Sequence, residues 1–246
     1  MGCCKSKVTT AATIKKPPID NAPLIQSLSL NYKFDTQPDA GVWTTGLAVT
    51  EKNQIVLCFR NQFKLLIFDA EGEYIKSCKT ANRPFNVAVV PNSSQLLVTL
   101  PGNKSLQYVD TINWTAGNEL KTRGYRREQF KNDQGAGKLR SLFMQGAEVF
   151  THTSPFLVSP AGIAVANRHV YVAGFGSFAL HKLELKKGDI MNSVALKKEN
   201  GIKKPKALCF NRHLTRLYIA NDGGKSIIIY NTRPGVYDPE QDATHR

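Results

Sequence analysis

The sequence predicts an all-β protein, a β-propeller of about five to six four-stranded blades. Short runs rich in valine, isoleucine, leucine and aromatic residues recur between turn residues over most of the 246-residue chain. These runs match one another at intervals of about 40 residues, or of about twice that length. Such a period is typical of a propeller, because one four-stranded sheet buries both of its faces only when neighbouring sheets stack around an axis.

Each predicted unit begins with an apolar tetrapeptide that we expect to form the innermost strand of a blade. The four tetrapeptides are GLAV at 46–49, NVAV at 86–89, GIAV at 162–165 and ALCF at 207–210. Second strands are predicted at 55–59, 96–100, 170–174 and 217–221, and third strands at 64–69, 105–110, 179–185 and 226–230. Two units also show a fourth strand after a glycine turn, at 74–79 and 190–196.

The spacing of the units predicts one further unit and a way of completing the last blade. The unit starts are 40, 76 and 45 residues apart, so a degenerate unit is expected between about 118 and 158. The final unit has only three strands, and the run at 27–34 is expected to supply its fourth. Pairing of this kind covers the edge of a sheet that would otherwise be exposed.

The stretch GLAVTEKNQIVLCFRNQFKLLIFDAEGEYIKSCK at 46–79 resembles the NHL-repeat propellers. The resemblance extends over roughly residues 27 to 232 and is strongest to the C-terminal propellers of invertebrate tripartite-motif-like proteins. It implies an NHL/TolB-like ring whose loops bind a protein partner or, as in some members, single-stranded RNA. The zinc-binding Cys/His spacings that precede many such propellers do not occur in this chain, so the resemblance does not imply ubiquitin-ligase activity.

The first seven residues, MGCCKSK, fit the N-myristoylation pattern M-G-x-x-x-[ST]. Removal of the initiator methionine would expose the amine of Gly2 for myristate, and the neighbouring thiols of Cys3 and Cys4 are candidates for palmitate. One myristoyl chain binds a bilayer only marginally, with a partition constant of about 10⁴ per molar, so stable anchoring needs a second signal. This segment resembles the acylated termini of Src-family kinases.

Four lysines, Lys5, Lys7, Lys15 and Lys16, lie near this terminus with no acidic residue among them. Each is expected to add about 1 kcal/mol of attraction to an anionic leaflet. We therefore predict an acylated flexible segment at 1–25, a β-propeller at 26–234 and a flexible tail at 235–246. The predicted location is the cytoplasmic face of the plasma membrane or of endomembranes.

The net charge of +14 favours an anionic partner, which is either a phospholipid surface or RNA, and no DNA partner is expected. The candidate residues for RNA or partner binding lie in the irregular region after residue 120; they are Arg123, Arg126, Arg127, Lys131 and Arg140. Two other interpretations stay open for this region. In one, the charges only keep the surface solvated. In the other, the aromatic residues belong to the core of a degraded blade, whereas RNA binding would need them in a long loop over one face of the propeller.

The chain contains none of the common catalytic motifs, and its five histidines share no metal-ligand spacing. The sequence therefore predicts no catalytic residue, no cofactor and no metal site. The predicted function is that of a non-catalytic, membrane-anchored scaffold that binds a protein still to be identified, with RNA binding as the alternative. A second alternative is a metal-dependent propeller hydrolase, for which Glu51 and Asn86 are the inner-strand candidates.

Overall fold

The computed structural model describes residues 25–36, 43–59, 61–121, 137–142, 148–166, 169–186 and 189–234. These residues form antiparallel strands joined by turns, together with single turns of 3-10 helix. Among the described residues no helix is long and apolar enough to cross a bilayer. In chain order the strands are β1 (Ile25–Asp35), β2 (Thr44–Val49), β3 (Ile55–Phe59), β4 (Lys64–Phe68), β5 (Tyr74–Lys79), β6 (Asn86–Val89), β7 (Gln95–Leu100), β8 (Ser105–Asp110), β9 (Thr115–Lys121), β10 (Gly137–Leu142), β11 (Glu148–Ser154), β12 (Pro160–Ala166), β13 (His169–Gly174), β14 (Ala179–Lys186), β15 (Asp189–Leu196), β16 (Ala207–Phe210), β17 (Arg216–Asn221) and β18 (Ser226–Pro234).

The strands assemble into four-stranded sheets in the manner of propeller blades. The first blade is β2–β5, the second is β6–β9 and the third is β12–β15, each a meander in chain order. The last blade has the order β1, β18, β17, β16. The inner strands of neighbouring blades contact one another in the order β12, β16, β2, β6, so the blades are arranged side by side around a common centre. The predicted all-β, propeller-like architecture is confirmed.

The predicted count of five to six four-stranded blades is not what the structure has. Its described residues contain four such blades and a two-stranded sheet, in which β10 pairs with β11. That sheet falls within the interval of 118 to 158 where a degenerate unit was expected. Residues 137–142 and 148–154 are therefore strands rather than parts of a long loop. The second blade also has a fourth strand, β9, which extends to Lys121 and which the sequence does not predict.

The predicted completion of the last blade by an N-terminal strand is confirmed. β1 pairs antiparallel with β18, with Leu28 opposite Thr232 and Phe34 opposite Ile227. β1 also contacts the first blade, because the Phe34 and Phe68 ring centroids are 5.7 Å apart. The strand thus joins the two ends of the chain and the two blades on either side of that junction.

The hydrophobic core lies between the blades. One cluster joins the first and second blades and includes Val56 and Val98, and another joins the first and last blades and includes Leu57 and Ile229. A third joins the third and last blades, where the Tyr171 and Phe210 rings meet edge to face at 5.2 Å. These three interfaces between neighbouring blades are thus buried, as the stacking of propeller blades requires.

Two glycines allow adjacent inner strands to approach closely. A Cβ on Gly46 of β2 would lie 2.6 Å from the Cα of Asn86 in β6, and one on Gly162 of β12 would lie 2.6 Å from the carbonyl oxygen of Lys206, next to β16. Gly46 and Gly162 occupy the same position of the repeat. The glycine that recurs in the inner-strand tetrapeptide is therefore a packing requirement at these two blade interfaces.

Candidate binding rim of the central channel

The inner strands all run in the same direction, so the loops of the blades gather on two opposite faces. We call the upper face the one that carries the segments leading into each inner strand and the loops between second and third strands. Contacts between such loops join them: Asn82, before β6, donates a hydrogen bond to the side-chain oxygen of Asn103, after β7, at 2.6 Å. The lower face carries the turns between first and second strands.

A cavity of about 1510 Å³ opens between the inner strands of the four blades. Its walls are largely apolar, with Leu47, Val87, Ile163 and Leu208 each coming from a different blade. Apolar groups on β12 are open to solvent here, since Ile163 is 50% exposed and Val165 is 62% exposed. The cavity is thus a wide channel whose side walls can bury apolar groups of a ligand.

The upper end of this channel is bordered by aromatic rings and cations. Phe63 and Phe85 are 51% and 57% exposed. We call the aromatic and cationic residues at this end of the channel the upper rim; they are Trp43, Phe63, Arg83, Phe85, Phe175 and Lys206. Trp43, Arg83, Phe85 and Lys206 precede inner strands, and Phe63 and Phe175 lie in loops between second and third strands, which is why the fold brings them to one end of the channel.

Cations of the rim lie over its rings. The Lys206 ammonium is 4.8 Å from the centroid of the Trp43 ring and 5.8 Å from that of Phe175. The Arg83 guanidinium carbon is 5.3 Å from the centroid of Phe63, and the Lys204 ammonium is 6.0 Å from that of Phe175. Contacts of this kind orient both partners and leave the positive charge at the mouth of the channel.

The charges along the channel differ between its two ends. Among the described residues that line it, the charged side chains are Arg83 and Lys206 above and Glu51 and Arg212 below. Glu51 and Arg212 form an ion pair, and Arg212 also lies 3.4 Å from the side-chain oxygen of Asn92. The lower charges therefore offset each other and link the turns of three blades, whereas the charged lining residues described at the upper end, Arg83 and Lys206, are both cations.

A lysine–aspartate pair lies on the same upper face. Lys203 and Asp222 form an ion pair at 2.9 Å. The hydrogen bond from Lys203 lowers the pKa of the Asp222 carboxyl, and the nearby positive charges of Lys203 and Lys225 act in the same direction. Asp222 is thus held as a carboxylate by Lys203 and stands beside the rim rather than in the channel lining.

Most of the residues singled out in the sequence lie outside the described residues. These are Gly2, Cys3, Cys4, Lys5, Lys7, Lys15 and Lys16 at the N-terminus and Arg123, Arg126, Arg127 and Lys131 in the basic region. Arg140 is described at the level of the backbone and lies in β10, opposite Thr151. The lipidation sites and the basic-loop site therefore stay predictions.

The two inner-strand candidates for a metal-dependent hydrolase have other contacts. Glu51 lies in the turn after β2, where it binds Arg212, and the Asn86 side-chain oxygen accepts a hydrogen bond from the Val87 amide at 2.9 Å. Within the described segments no group of three or more histidine, cysteine, aspartate or glutamate side chains is placed to hold a metal ion.

The upper rim was not predicted from the sequence, although the repeat register contains a signal for it. Its residues are separated by up to 163 positions, from Trp43 to Lys206, and no local motif joins them. However, aromatic or basic side chains precede three of the inner-strand tetrapeptides, and phenylalanine lies in two of the loops between second and third strands. Alignment of the units by their tetrapeptides would have placed all of these positions on one face.

Neither a protein-family model nor a curated protein sequence matches the chain. Among solved structures, a structural-genomics protein of unknown function from Bacteroides thetaiotaomicron superposes with a TM-score of 0.52 at 13% identity, covering 86% of this chain and 76% of that one. The hydrazine synthase of Kuenenia stuttgartiensis gives a TM-score of 0.49 at 11% identity, covering 77% and 83%. At these identities the first similarity supports the propeller-like fold alone, and the second carries no argument.

Proposed function

We propose that this protein is a non-catalytic scaffold, held at the cytoplasmic face of a membrane by N-terminal acyl chains, whose propeller binds another protein. The observation that carries the binding part is the upper rim, where rings and cations surround the mouth of an apolar channel. Aromatic and arginine side chains are enriched where proteins bind one another. A rigid ring with its loops on two faces offers such a surface without catalytic groups.

The anchoring part rests on the sequence of the first sixteen residues. Myristate on Gly2 supplies marginal membrane affinity, and palmitate on Cys3 or Cys4 or the attraction of the four lysines supplies the second signal. The position of the strand that follows is compatible with this arrangement. Ile25 pairs with Pro234 at the lower end of the last blade, so the N-terminal segment joins the propeller on the face opposite the rim.

The proposal includes the finer description of the fold as an NHL-type propeller with a fifth blade. The inner-strand tetrapeptides support the repeat type. The sheet of β10 and β11 supports a further blade between the second and third, because it falls where the period of about 40 residues requires a unit.

Single-stranded RNA is the second candidate ligand. The contacts of Arg83 with Phe63 and of Lys206 with Trp43 favour it, since base stacking on rings beside cations is a common mode of RNA binding. The basic residues between Arg123 and Arg140 would extend such a surface. In this case the membrane anchor would serve to localise a ribonucleoprotein.

Flotation with anionic liposomes separates these proposals. We expect the protein purified from eukaryotic cells, where both myristate and palmitate can be attached, to float at low and at high salt and the Gly2→Ala variant to stay at the bottom of the gradient. Binding to oligouridine, if RNA is the ligand, should persist in Gly2→Ala and fall steeply with salt. A wild-type protein that is released from liposomes by salt as readily as Gly2→Ala would contradict the acyl anchor.

A further inference from the structure

The size and character of the channel restrict what can occupy it. Pockets for small molecules have volumes of about 300 to 1,000 Å³, whereas this cavity measures about 1510 Å³. Its walls are apolar, with Leu47, Val87 and Leu208 coming from three different blades. A ligand that fills this space therefore has several groups, at least one of them apolar.

The mouth of the channel restricts the charge of the ligand. Arg83 and Lys206 both line its upper end, and the carboxylate among the described lining residues, Glu51, is bound by Arg212 at the other end. Lys204 adds a third positive charge beside Phe175. The groups of the ligand that lie at the mouth are therefore anionic, and those that enter the channel are apolar.

This division of charge and apolar surface favours a peptide over RNA. In a nucleic acid every nucleotide carries a phosphate, so binding along the channel would place negative charges against walls such as Leu47 and Val165. A peptide can place carboxylates at the rim and an apolar side chain between the inner strands. Its aromatic or aliphatic anchor would bury the kind of surface that dominates binding energy in protein interfaces.

We infer that the upper rim and the channel below it form a binding site for an acidic peptide segment that inserts an aromatic or aliphatic side chain between the inner strands. The inference rests on the proposed scaffold function and gives the chemistry of its partner. Carboxylates of the peptide pair with Arg83 and Lys206, and its apolar anchor packs on Phe85 and on the apolar walls of the channel.

Fluorescence anisotropy with labelled peptides tests this inference on the full chain in its unacylated Gly2→Ala form. The probe is a peptide with glutamates on both sides of a central Phe-Leu pair. Two matched peptides serve as controls, one with lysines in place of the glutamates and one with Gly-Ser in place of Phe-Leu. A third control probe is an oligouridine of the same length. We expect the acidic, apolar probe to bind with a Kd on the order of 10 μM and the lysine and Gly-Ser probes at least ~10-fold more weakly.

Variants of the rim locate the binding. Arg83→Glu and Phe85→Ala, both at exposed positions, should weaken binding of the acidic probe at least ~10-fold, as should Lys206→Met, which keeps most of the side chain that packs on Trp43. The controls are Lys52→Glu and Ile112→Ala on the lower face, where Ile112 is 65% exposed, and these should bind as the parent does. Thermal melting of each variant verifies that it is folded.

Three results would overturn the inference. They are absence of binding by the acidic probe, equal loss in the rim variants and the lower-face controls, and tighter binding of oligouridine that the rim variants abolish. The last result would identify the rim as an RNA site. These measurements use unacylated protein, so their outcome does not depend on the membrane anchor. A chain that carries no lipids in cells would contradict the anchor but would leave the peptide site untouched.

Discussion

Single residues at repeated positions determine how closely the blades pack. Gly46 and Gly162 begin equivalent tetrapeptides, and at both positions the backbone of the neighbouring inner strand occupies the space that a side chain would need. Neighbouring backbones cannot move apart without opening the cores on either side, because those cores are close-packed. The repeat thus carries information about contacts between blades as well as about strand formation.

We predict that Gly46→Ala destabilises the protein by about 2 to 3 kcal/mol, because its Cβ would lie 2.6 Å from the Cα of Asn86. Gly117→Ala in β9 is the matched control. Its Cβ would lie 3.5 Å from the nearest atom, a normal contact, so the expected change is within about 0.5 kcal/mol. Urea unfolding monitored by circular dichroism measures both. Equal stability of the two variants would show that the inner strands move apart at little cost.

The ion pair of Lys203 with Asp222 makes stability depend on pH in the acid range. The pKa of Asp222 is lowered from its ordinary value of 3.8 by the hydrogen bond from Lys203, so folding favours the carboxylate. This contribution is complete above that ordinary value and is lost as the pH falls through the lower pKa of the folded state. Asp222 also begins the turn whose Gly224 lies against Thr44 of the first blade, so its protonation acts near a blade interface.

We predict that the melting temperature of the parent falls more steeply below about pH 4 than that of Asp222→Asn, which has no carboxylate to protonate there. Lys203→Met should show the same reduced dependence, since it removes the main cause of the pKa shift. Lys52→Met, in the turn on the opposite face, is the control and should behave as the parent. Parallel pH profiles for the parent and for Asp222→Asn would contradict this account.

Among the elements, β1 does more than complete the edge of the last blade, since it also contacts the first blade. It provides the outer strand of the last blade, and its Phe34 ring packs on Phe68 of the first blade. The Tyr32 hydroxyl donates a hydrogen bond to the backbone oxygen of Ala70, and burial raises the pKa of Tyr32 to about 12. The strand therefore joins blades that are remote in sequence.

We predict that deletion of residues 1–36, which removes β1, lowers the melting temperature by ~10 °C or more and broadens the transition, because the loss of its pairing and ring contacts amounts to several kcal/mol. Deletion of residues 1–24, which leaves β1 intact, should not change the melting curve. Differential scanning calorimetry compares the two. Superimposable curves for both deletions would mean that β1 does not hold the blades together.

The sequence predicts a strand where apolar side chains or a preceding glycine turn mark it, as with β5 at 74–79, and misses one that has neither. β3 and β8 begin and end at the predicted residues, because each carries apolar side chains bounded by turn residues. β9 was missed because nearly all of its side chains are exposed, so no alternation of apolar and polar residues marks it. The reduced unit of β10 and β11 was inferred only from the interval between its neighbours, which fixes where a unit lies but not how many strands it has.

At the scale of the whole molecule, the fold creates the candidate site that the sequence does not show. The rim combines residues from the first, second, third and last blades and from the segments between them. Sequence patterns indicate local structure, whereas this group exists only through the order of the blades around the channel. The lipidation motif is the opposite case, since a transferase recognises a short linear segment whatever fold follows it.

The N-terminal end of β1 and the upper rim lie on opposite faces of the propeller. β1 runs from Ile25 on the lower face to Asp35 on the upper face, where it pairs with Ser226. In the proposed function the acyl anchor would determine where the scaffold is held and the rim would determine what it binds, so the two proposals are tested separately.

Intact mass combined with membrane fractionation of the protein expressed in eukaryotic cells tests the anchor most directly. We predict a wild-type mass that lacks the initiator methionine and carries one myristoyl group and palmitate on Cys3 or Cys4, with the protein in the membrane fraction at high salt. Gly2→Ala should be unmodified and released, and the double variant Cys3→Ser, Cys4→Ser should carry myristate but bind membranes weakly. An unmodified wild-type N-terminus in a protein that fractionates with the cytosol would contradict the proposed acyl anchor.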